Sequence, residues 1–428
     1  MQTHLSDDIR HAEIGRQADE ILRRCVHCGF CLATCPTYEI TGNELDSPRG
    51  RIYQIKEVLE GAPVTPATRE HLDRCLTCRN CETTCPSGVE YGHLLDIGRH
   101  VVQVKSERPA MERLRMEALR RTIISPWFGA AYRFAQKLHT WLPPLIQDKV
   151  RRPAERSGDV SQSVKPSRTD LLTGRQHARQ VLMIAGCVQP SMMPSIDQAT
   201  IRVLDRLGIG TQVAAGSGCC GAVSFHLDAQ EAARSQMRRN IDAWWPMIES
   251  GDVQAIVMNA SGCGAMVREY AHHLKLDPIY ADKAQVVSDK VLDIAEIIAP
   301  MSQQLLSEMD VSKLPRDMAF HPPCTLQHWQ KLRPVTETLL SHLGMTLKPF
   351  DESHMCCGSA GAYSMLHPEI SNQLRDRKVS RIEAVKPQMI VSSNVGCIGH
   401  LQSGTEVPVR HWIEVVDLAL RPAQATGR

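Results

Sequence analysis

Long apolar runs are absent from this sequence. Its 428 residues contain no uninterrupted apolar stretch of the roughly 18 residues that a membrane-spanning helix needs. The first residues, MQTHLSDDIRHAEIG, lack the apolar core and cleavage site of a secretory signal. The formal charge of +2 gives no global field that would attract nucleic acid or anionic lipid. The sequence therefore predicts a cytoplasmic protein, and structural disulfides are rare in that compartment.

Recognisable catalytic and nucleotide-binding motifs are missing as well. There is no G-x-G-x-x-G after a predicted strand, no Walker A sequence, no HExxH and no hydrolase triad. These absences predict that the chain binds neither a dinucleotide nor a flavin. If the chain takes part in the oxidation of an organic substrate, the two-electron centre should lie on a partner chain.

Cysteine, by contrast, is abundant. All 16 cysteines lie between residues 25 and 85 or between residues 187 and 397, and such groups in the cytoplasm indicate metal binding or redox chemistry. The first group is an internal repeat, because CVHCGFCLATCP at residues 25–36 recurs with the same spacing as CLTCRNCETTCP at residues 75–86. Both copies match C-x2-C-x2-C-x3-C-P, the pattern that binds [4Fe–4S] clusters in ferredoxins.

The two motifs predict two [4Fe–4S] clusters. Three cysteines of one copy bind three corners of a cluster, and the fourth reaches the other cluster because the following proline redirects the chain. Site one is therefore predicted to consist of Cys25, Cys28, Cys31 and Cys85, and site two of Cys75, Cys78, Cys81 and Cys35. Structural zinc is the alternative, although zinc sites usually have two well-separated cysteine pairs. Arg79, next to Cys78, either favours the reduced state of site two or is an ordinary surface charge.

A second repeat occupies the rest of the chain. Each copy contains one cysteine after a short apolar run, then Cys-Cys-Gly, then a Gly-Cys turn, and the spacing from the first cysteine to the pair is the same in both. The first-half site consists of Cys187, Cys219, Cys220 and Cys263, and the second-half site of Cys324, Cys356, Cys357 and Cys397. Apolar runs alternate with helical patterns, which predicts parallel strands with crossover helices and cysteines beyond the carboxyl ends of the strands.

The chemistry of these two sites stays open at this point. Each set of four cysteines forms either a further metal or cluster site or a reduced, metal-free pocket with a redox or docking role. Gly221 and Gly358 are predicted to adopt a backbone conformation that other residues avoid. Five histidines accompany the sites as ligands, proton relays for a quinone, partners of sulfur or ordinary structural residues: His226, His321, His328, His354 and His400.

The patterns predict a modular chain. An α-helical, ferredoxin-like domain with both [4Fe–4S] motifs covers residues 1–108, with helices from Pro48 to about Gly61 and over 91–104. A helical segment at 109–150 and a polar linker at 151–179 follow. A duplicated pair of α/β Cys-Cys-Gly domains fills residues 180–300 and 301–428. The aromatic segment 123–146 either rests on a membrane surface, binds a partner subunit or packs on its own domain.

This combination of motifs resembles a family of electron-transfer subunits. The family includes the iron–sulfur subunits of glycolate oxidase, an electron-transfer subunit of anaerobic glycerol-3-phosphate dehydrogenase and heterodisulfide reductase-like proteins. Longer stretches look closest to the glycolate oxidase subunits. These stretches are RCVHCGFCLATCPTYEI, ELDSPRGRIYQIKEVLEG, EHLDRCLTCRNCETTCPSGVEY, NIDAWWPMIESG, SGCGAMVREY, PCTLQHWQKL and VRHWIEVVDLAL.

The resemblance implies an oxidoreductase complex. An FAD-binding partner oxidises glycolate to glyoxylate, and this chain passes the electrons toward the quinone pool at the cytoplasmic face of the bacterial inner membrane. D-lactate or glycerol 3-phosphate is the alternative substrate, and a thiol/disulfide enzyme is a further alternative. Heterodisulfide reductases end the Cys-Cys-Gly motif in C-x2-C, but Cys263 and Cys397 lack that last cysteine. A five-cysteine cluster is therefore not expected, and four ligands or none remain.

Overall fold

The structure is a computed structural model that describes residues 1–142, 147, 150, 177–184 and 186–422. Most of the linker predicted at 151–179 lies outside the described residues. The N-terminal module, residues 1–108, contains the helices Asp7–Arg10, Glu13–Arg24, Pro36–Thr41, Pro48–Leu59, Pro66–Asp73, Asn80–Thr84 and Tyr91–Lys105. Helices Ala110–Ile124 and Phe128–Lys137 follow. In the part of the chain that is described, no helix has the length and apolar character needed to cross a bilayer.

Two helices form the centre of the N-terminal module, as predicted. Ser47 caps the first, Pro48–Leu59, because its Oγ accepts a hydrogen bond from the backbone N–H of Gly50 at 3.0 Å. The second, Tyr91–Lys105, packs against the first. Gly98 allows this close approach, since a Cβ at that position would lie 2.5 Å from Cγ1 of Ile55. The core of the module therefore brings together the chain between the two motifs and the chain after the second motif.

The remainder of the chain forms two parallel sheets, which confirms the predicted strand and helix alternation. The strands are β1 Arg179–Met183, β2 Ile209–Gln212, β3 Ile256–Met258, β4 Val291–Asp293, β5 Met318–Phe320, β6 Met389–Ser392 and β7 Val409–His411. Their orders are β2-β1-β3-β4 and β5-β6-β7, with parallel pairing throughout. A single parallel bridge between Met318 and Leu347 corresponds in the second sheet to the pairing of β1 with β2.

Crossover and flanking helices surround these sheets. In the first half they are Gln189–Met192, Pro194–Arg206, Ala222–His226, Gln230–Glu249, Ser261–Arg268, Tyr270–His273, Ala281–Lys290 and Ile294–Ile298. Ser302–Ser307 connects the halves. The second half contains the π-helix Thr325–Trp329 and the α-helices Arg333–His342, Tyr363–Leu366, Pro368–Glu383, Val395–Gln402 and Trp412–Ala419.

The two halves exchange a helix and share one core. Ile294–Ile298, which follows the last strand of the first half, packs on Arg333–His342 of the second half. Trp412–Ala419, which follows the last strand of the second half, packs on Pro194–Arg206 of the first half. One buried apolar cluster accordingly contains residues of both sheets. The predicted duplication is thus visible in three dimensions, and the boundary at residue 300 stays a prediction because the core is continuous across it.

The N-terminal module lies against both halves. Arg108 pairs with Asp73 of the module at 2.6 Å and with Asp228 of the first half at 2.5 Å. Trp329 of the second half donates its indole N–H to the carbonyl of Thr77 at 3.1 Å. These contacts fix the loop of the second cysteine motif against the two sheets.

Candidate iron–sulfur and cysteine sites

The two N-terminal cysteine loops have matching backbones. His27 and Gly29 in the first loop, and Thr77 and Arg79 in the second, all have positive φ angles. Successive backbone amides near left-handed residues form concave sites that bind anions. An iron–sulfur cluster with four thiolates carries net negative charge, so both loops fit such a cluster.

The cysteines predicted for site one line one cavity. Its wall contains Cys25, Cys28, Cys31 and Cys85, and also Cys81. Cys35 ends the first motif in sequence, but helix Pro36–Thr41 begins immediately after it and leads the chain away. The cavity wall therefore contains the first three cysteines of one motif and the last two of the other, and the crossed assignment of ligands stays a prediction.

The cysteines predicted for site two are close neighbours in the interior. Burial raises the pKa of the Cys81 thiol well above its ordinary value, and the adjacent Cys78, Cys35 and Cys75 thiols raise it further. The sulfur of Cys35 is 3.3 Å from Thr37 Oγ1, and the hydroxyl of Tyr91 donates to the sulfur of Cys75 at 3.7 Å. Hydrogen bonds to sulfur and burial are the features that set cluster potentials.

A buried cation beside site two was not predicted. Arg51 is fully buried, and its guanidinium donates to the carbonyl of His71 at 2.7 Å and to Thr37 Oγ1 at 3.0 Å. Burial alone opposes its charge, but the neighbouring Cys75, Tyr91, Cys35 and Asp46 raise its pKa above the ordinary value. The sequence carried a signal for this position, because Arg51 precedes the buried Ile55 by four residues and so lies on the inner face of its helix.

Arg79 is not an ordinary surface charge, which was one of the two interpretations of this residue. Its side chain is buried, forms two bonds of 2.5 and 3.0 Å with the carboxylate of Glu269, and lies 3.6 Å from the ring centre of Trp329. The carboxylate compensates the guanidinium, which weakens its effect on site two. Arg79 instead joins the N-terminal module to both halves.

The second-half site lies directly beside site two. The Cys324 thiol lies next to the Cys78 thiol, and Cys324, Cys356, Cys357 and Cys397 form a continuous chain of neighbouring thiols. Gly358 has φ of 88°, and a Cβ there would lie 2.4 Å from the carbonyl oxygen of Ser371. The predicted special backbone after the cysteine pair is therefore present.

Lys378 is a second buried cation that the sequence analysis missed. Its ammonium donates to the carbonyl of Glu352. Burial lowers its pKa to about 8, while the Cys324, Cys357 and Cys356 thiols act in the opposite direction. His321 supplies a further polar group, since its imidazole lies close enough to the Cys357 thiol to lower the pKa of that thiol. Both side chains can compensate negative charge on this set of sulfurs.

The first-half site has four corresponding cysteines, but apolar side chains take the place of the basic groups. The Cys219 thiol lies next to those of Cys187 and Cys220, and the Cys220 thiol lies next to that of Cys263. Gly221 has φ of 99°, again as predicted. The equal cysteine spacing matches Lys378 to Ile241 and His321 to Ile184, and both isoleucines are buried. The two sites therefore have cysteines at corresponding positions but differ in the basic groups around them.

The other accompanying histidines contact different partners. Nδ1 of His328 is 3.0 Å from Thr83 Oγ1, and its Nε2 is 2.9 Å from the carbonyl of His354. Nε2 of His400 is 3.1 Å from Ser371 Oγ. His226 lines a separate cavity. Within the described residues, no three or more His, Cys, Asp or Glu side chains are arranged to hold one metal ion. A cubane differs from such an ion, because each of its irons binds one cysteine.

The aromatic segment packs only in part on its own chain. Tyr132 is buried in helix Phe128–Lys137, whereas Trp127 is 77% and Trp141 is 86% exposed. Residues 143–146 of the segment lie outside the described residues. The prediction left open whether the segment packs on its own domain or faces a membrane or a partner subunit. The described residues include both buried and exposed aromatic side chains, so these alternatives stay open.

Comparison with known proteins agrees with this architecture. A family model described as a 4Fe-4S dicluster domain matches residues 21–89, and one described as a cysteine-rich domain matches residues 181–268 and 318–402. The chain is 51% identical to the glycolate oxidase iron-sulfur subunit of Escherichia coli (strain K12), over 98% of this chain and 99% of that protein. It is 29% identical to the probable glycolate oxidase iron-sulfur subunit of Bacillus subtilis (strain 168), over 90% and 89%.

More distant relatives cover less of the chain. Lactate utilization protein A of Bacillus pumilus (strain SAFR-032) is 28% identical over 51% of this chain and 89% of its own length. The family resemblance in the motifs is thus confirmed over almost the whole sequence. The chain belongs to the family of the glycolate oxidase iron–sulfur subunits, in which it combines a 4Fe-4S dicluster domain with two cysteine-rich domains.

Proposed function

We propose that this chain is the electron-transfer subunit of a glycolate-oxidising complex and carries electrons from an FAD-binding partner toward the quinone pool. Site one and site two each hold one [4Fe–4S] cluster, and a bound cluster of this kind takes up and releases single electrons. The observation that carries the proposal is the cavity shared by Cys25, Cys28, Cys31 and Cys85. Both motifs must fold together to form it, as a two-cluster carrier requires.

Glycolate is the substrate that the relatives favour. The relative that matches nearly the full length is named for glycolate oxidase, whereas the lactate utilization protein matches about half of this chain. The complex is proposed to work at the cytoplasmic face of the bacterial inner membrane, with this chain as a peripheral subunit. The alternative of a D-lactate- or glycerol-3-phosphate-oxidising complex is tested by growth of a deletion strain on each carbon source. A deletion strain that still grew normally with glycolate as its carbon source would contradict the proposal.

Anaerobic purification from the native host tests the central claim. We expect a complex in which this chain contains iron and acid-labile sulfide and a partner contains flavin. The complex should oxidise glycolate, and the isolated chain should not. Glycolate oxidation by the flavin-free chain, or a chain that contains only zinc, would overturn the proposal.

Electrons are proposed to enter at site one, because its loop is exposed. Cys28 is exposed, and the neighbouring Val26 and Phe30 are 65% and 61% exposed. Site two, in contrast, is buried against the second half. Exposed apolar side chains around a redox centre are typical of a protein interaction surface. We infer that the flavoprotein docks on Val26 and Phe30.

Substitution of Phe30 tests this docking surface. Phe30→Asp should weaken binding of the flavoprotein by about 2 kcal/mol or more, because an exposed aromatic side chain that the partner would cover is replaced by a charge. The cluster absorption of the isolated chain should not change. Leu276→Asp is a matched control, since Leu276 is 70% exposed but lies in the first half. Equal affinity of both variants in calorimetry with the flavin subunit would rule out docking at Phe30.

The second-half site is proposed to hold a further metal or cluster more readily than the first-half site. Negative charge on buried thiolates costs several kcal/mol per ion when it is not compensated. Lys378 and His321 offer that compensation in the second half, and Ile241 and Ile184 do not in the first.

Lys378→Met should therefore lower the iron content of the anaerobically purified chain. The substitution retains the length of the side chain but removes its charge. Ile241→Met changes the matched position of the first half and should leave the iron content unaltered. Iron per chain is measured by plasma emission, together with thiol titration. An unchanged iron content in Lys378→Met would show that its charge does not support metal at this site.

A further inference from the structure

A second cavity, distinct from that of site one, lies where the modules meet. It has a volume of about 210 Å³. Cys75 of site two is on its wall, and it is the only cysteine among the described lining residues. Helix Ala110–Ile124 contributes Arg115 and Met116, the first half contributes His226, and the second half contributes Tyr363. The cavity is therefore not the cubane pocket itself but a space beside it.

The charges on this wall balance one another. Asp73, Glu112 and Asp228 all bind the guanidinium of Arg108. Arg99 donates to the carbonyl of Cys75 at 2.9 Å, and Arg115 donates to the carbonyl of Met365 at 3.0 Å. Three cationic and three anionic side chains leave no formal surplus for a strongly charged ligand. Leucine, methionine and alanine side chains form much of the remaining wall, which suits an uncharged, partly apolar molecule.

His226 offers a polar group to such a molecule. Its ring is half-buried and lines the cavity, while its Nδ1 is fully buried and has no hydrogen-bond partner among the described residues. Burial lowers the pKa of His226 to about 4, with additional effects of Arg99 and Arg79, so the ring is neutral near pH 7. A neutral imidazole can donate one hydrogen bond to a carbonyl oxygen. A carbonyl oxygen of a ligand in the cavity would accept that hydrogen bond from the half-buried edge of the ring, which lines the cavity.

We infer that this cavity binds the headgroup of a quinone-class electron acceptor, with His226 as the hydrogen-bond donor to one of its carbonyl oxygens. This inference rests on the proposed function, because it places the acceptor beside site two. The volume of about 210 Å³ is below that of pockets for drug-sized ligands and so fits a ring and not a long tail. Arg115 and the adjacent Leu114 are exposed on helix Ala110–Ile124, where an apolar tail could leave the cavity.

The reaction balances with the chemistry already proposed. Oxidation of glycolate to glyoxylate on the flavoprotein releases two electrons and two protons. One quinone takes up two electrons, delivered singly through site two, and two protons from water, and becomes one quinol. No other oxidant or reductant is needed. His226 orients the ring and is a positioning residue, not the source of both protons.

Photolabelling of the full chain tests the site without requiring turnover. An azido-benzoquinone is irradiated with the purified chain, and labelled peptides are located by mass spectrometry. We expect saturable labelling of Ala110–Ile124, Ala222–His226 and Tyr363–Leu366. Unlabelled 2,3-dimethoxy-5-methyl-1,4-benzoquinone should protect these peptides, and acetate should not. Labelling elsewhere, or protection by acetate instead of the quinone, would overturn the inference.

Two variants sharpen the test. Ala362→Phe introduces a ring into the cavity and should reduce labelling about tenfold or more, since the volume for the headgroup is lost. His226→Leu removes one hydrogen bond and should weaken protection by the quinone about fivefold. Ala131→Phe is the control, because Ala131 is exposed on helix Phe128–Lys137 and does not line the cavity. Wild-type labelling in both cavity variants would contradict the assignment, and thermal unfolding of each variant checks that it is folded.

A kinetic measurement separates this inference from the proposed function. The chain is reduced chemically, freed of reductant and mixed with the same benzoquinone while its visible absorption is followed. Reoxidation should be slower in Ala362→Phe than in Ala131→Phe. If the chain holds no iron but is labelled at the cavity, the electron-transfer proposal fails and the binding site stands. If the reduced chain is reoxidised equally fast in both variants, the site is wrong and the electron-transfer proposal stands.

Discussion

Replacement of Cys85 by serine is expected to damage the cluster of site one and to spare that of site two, although Cys85 belongs to the second motif. Cys85 shares its cavity with Cys25, Cys28 and Cys31, whereas Cys81, which also lines that cavity, lies next to the Cys78, Cys35 and Cys75 thiols of site two. The reciprocal variant, Cys35→Ser, should damage site two, because Cys35 lies among Cys75, Cys78 and Cys81. Paramagnetic resonance of the reduced protein, combined with iron analysis, distinguishes the two signals.

Two further serine variants act as matched controls. Crossed and uncrossed ligation both assign Cys28 to site one and Cys78 to site two. The spectrum of Cys85→Ser should therefore resemble that of Cys28→Ser, and the spectrum of Cys35→Ser should resemble that of Cys78→Ser. The opposite pairing of spectra would refute the crossed assignment. Loss of both signals in Cys28→Ser would show that the two sites do not fold independently.

Local sequence signals were sufficient for most of the fold. Ser47 followed by Pro48 marks a helix start through a cap and a fixed φ, and both act within a few residues. Apolar runs before Cys187 and Cys324 mark strands for the same local reason. The exchange of Ile294–Ile298 and Trp412–Ala419 between the halves was not predictable in this way. It depends on which apolar faces meet across the repeat, and spacing alone does not specify that.

For the sites, too, local features were predictable from the sequence and contacts between distant residues were not. Cysteine spacing was sufficient to predict two cluster-binding loops, because ligand geometry is encoded in short segments, and the positive φ angles of these loops recur in both copies. The compensating charges were not predicted. Lys378 lies on helix Pro368–Glu383, which carries none of the cysteines that it approaches. Arg79 is neutralised by Glu269, which is distant in sequence. A basic residue in sequence reveals neither its burial nor its partner.

The positions of the cysteine sites also suggest a direction for electron flow. Site one is at the surface beside Phe30, site two is interior, and Cys324 of the second-half site touches Cys78. Electrons that enter from a docked flavoprotein would therefore reach site two before either the second-half site or the cavity at Cys75. Site two is the branch point in this proposed route, so the groups that set its potential should control the flow.

Arg51 is the group expected to have the largest effect on that potential. Arg51→Leu removes a fully buried positive charge near Cys35 and Cys75, which should lower the potential of site two by an amount on the order of 100 mV for a unit charge at an effective dielectric constant of about 20. The same change leaves Asp46, which is wholly buried, with His71 and the Arg74 guanidinium as its side-chain partners among the described residues. Loss of one member of a buried ion pair should cost on the order of 3 kcal/mol of unfolding free energy.

The conservative variant Arg51→Lys separates the two effects. Lysine keeps the charge, so the potential of site two, measured by redox titration with paramagnetic resonance, should remain close to that of the wild type. It cannot reproduce the planar fork that reaches the carbonyl of His71, Thr37 and Asp46 together, so part of the stability in urea unfolding should still be lost. If Arg51→Leu destabilised the protein but left the potential unchanged, Arg51 would serve only to fold the loop. A potential that falls in Arg51→Leu and recovers in Arg51→Lys would identify its charge as the cause, because the two variants share the loss of the fork and differ in the cation.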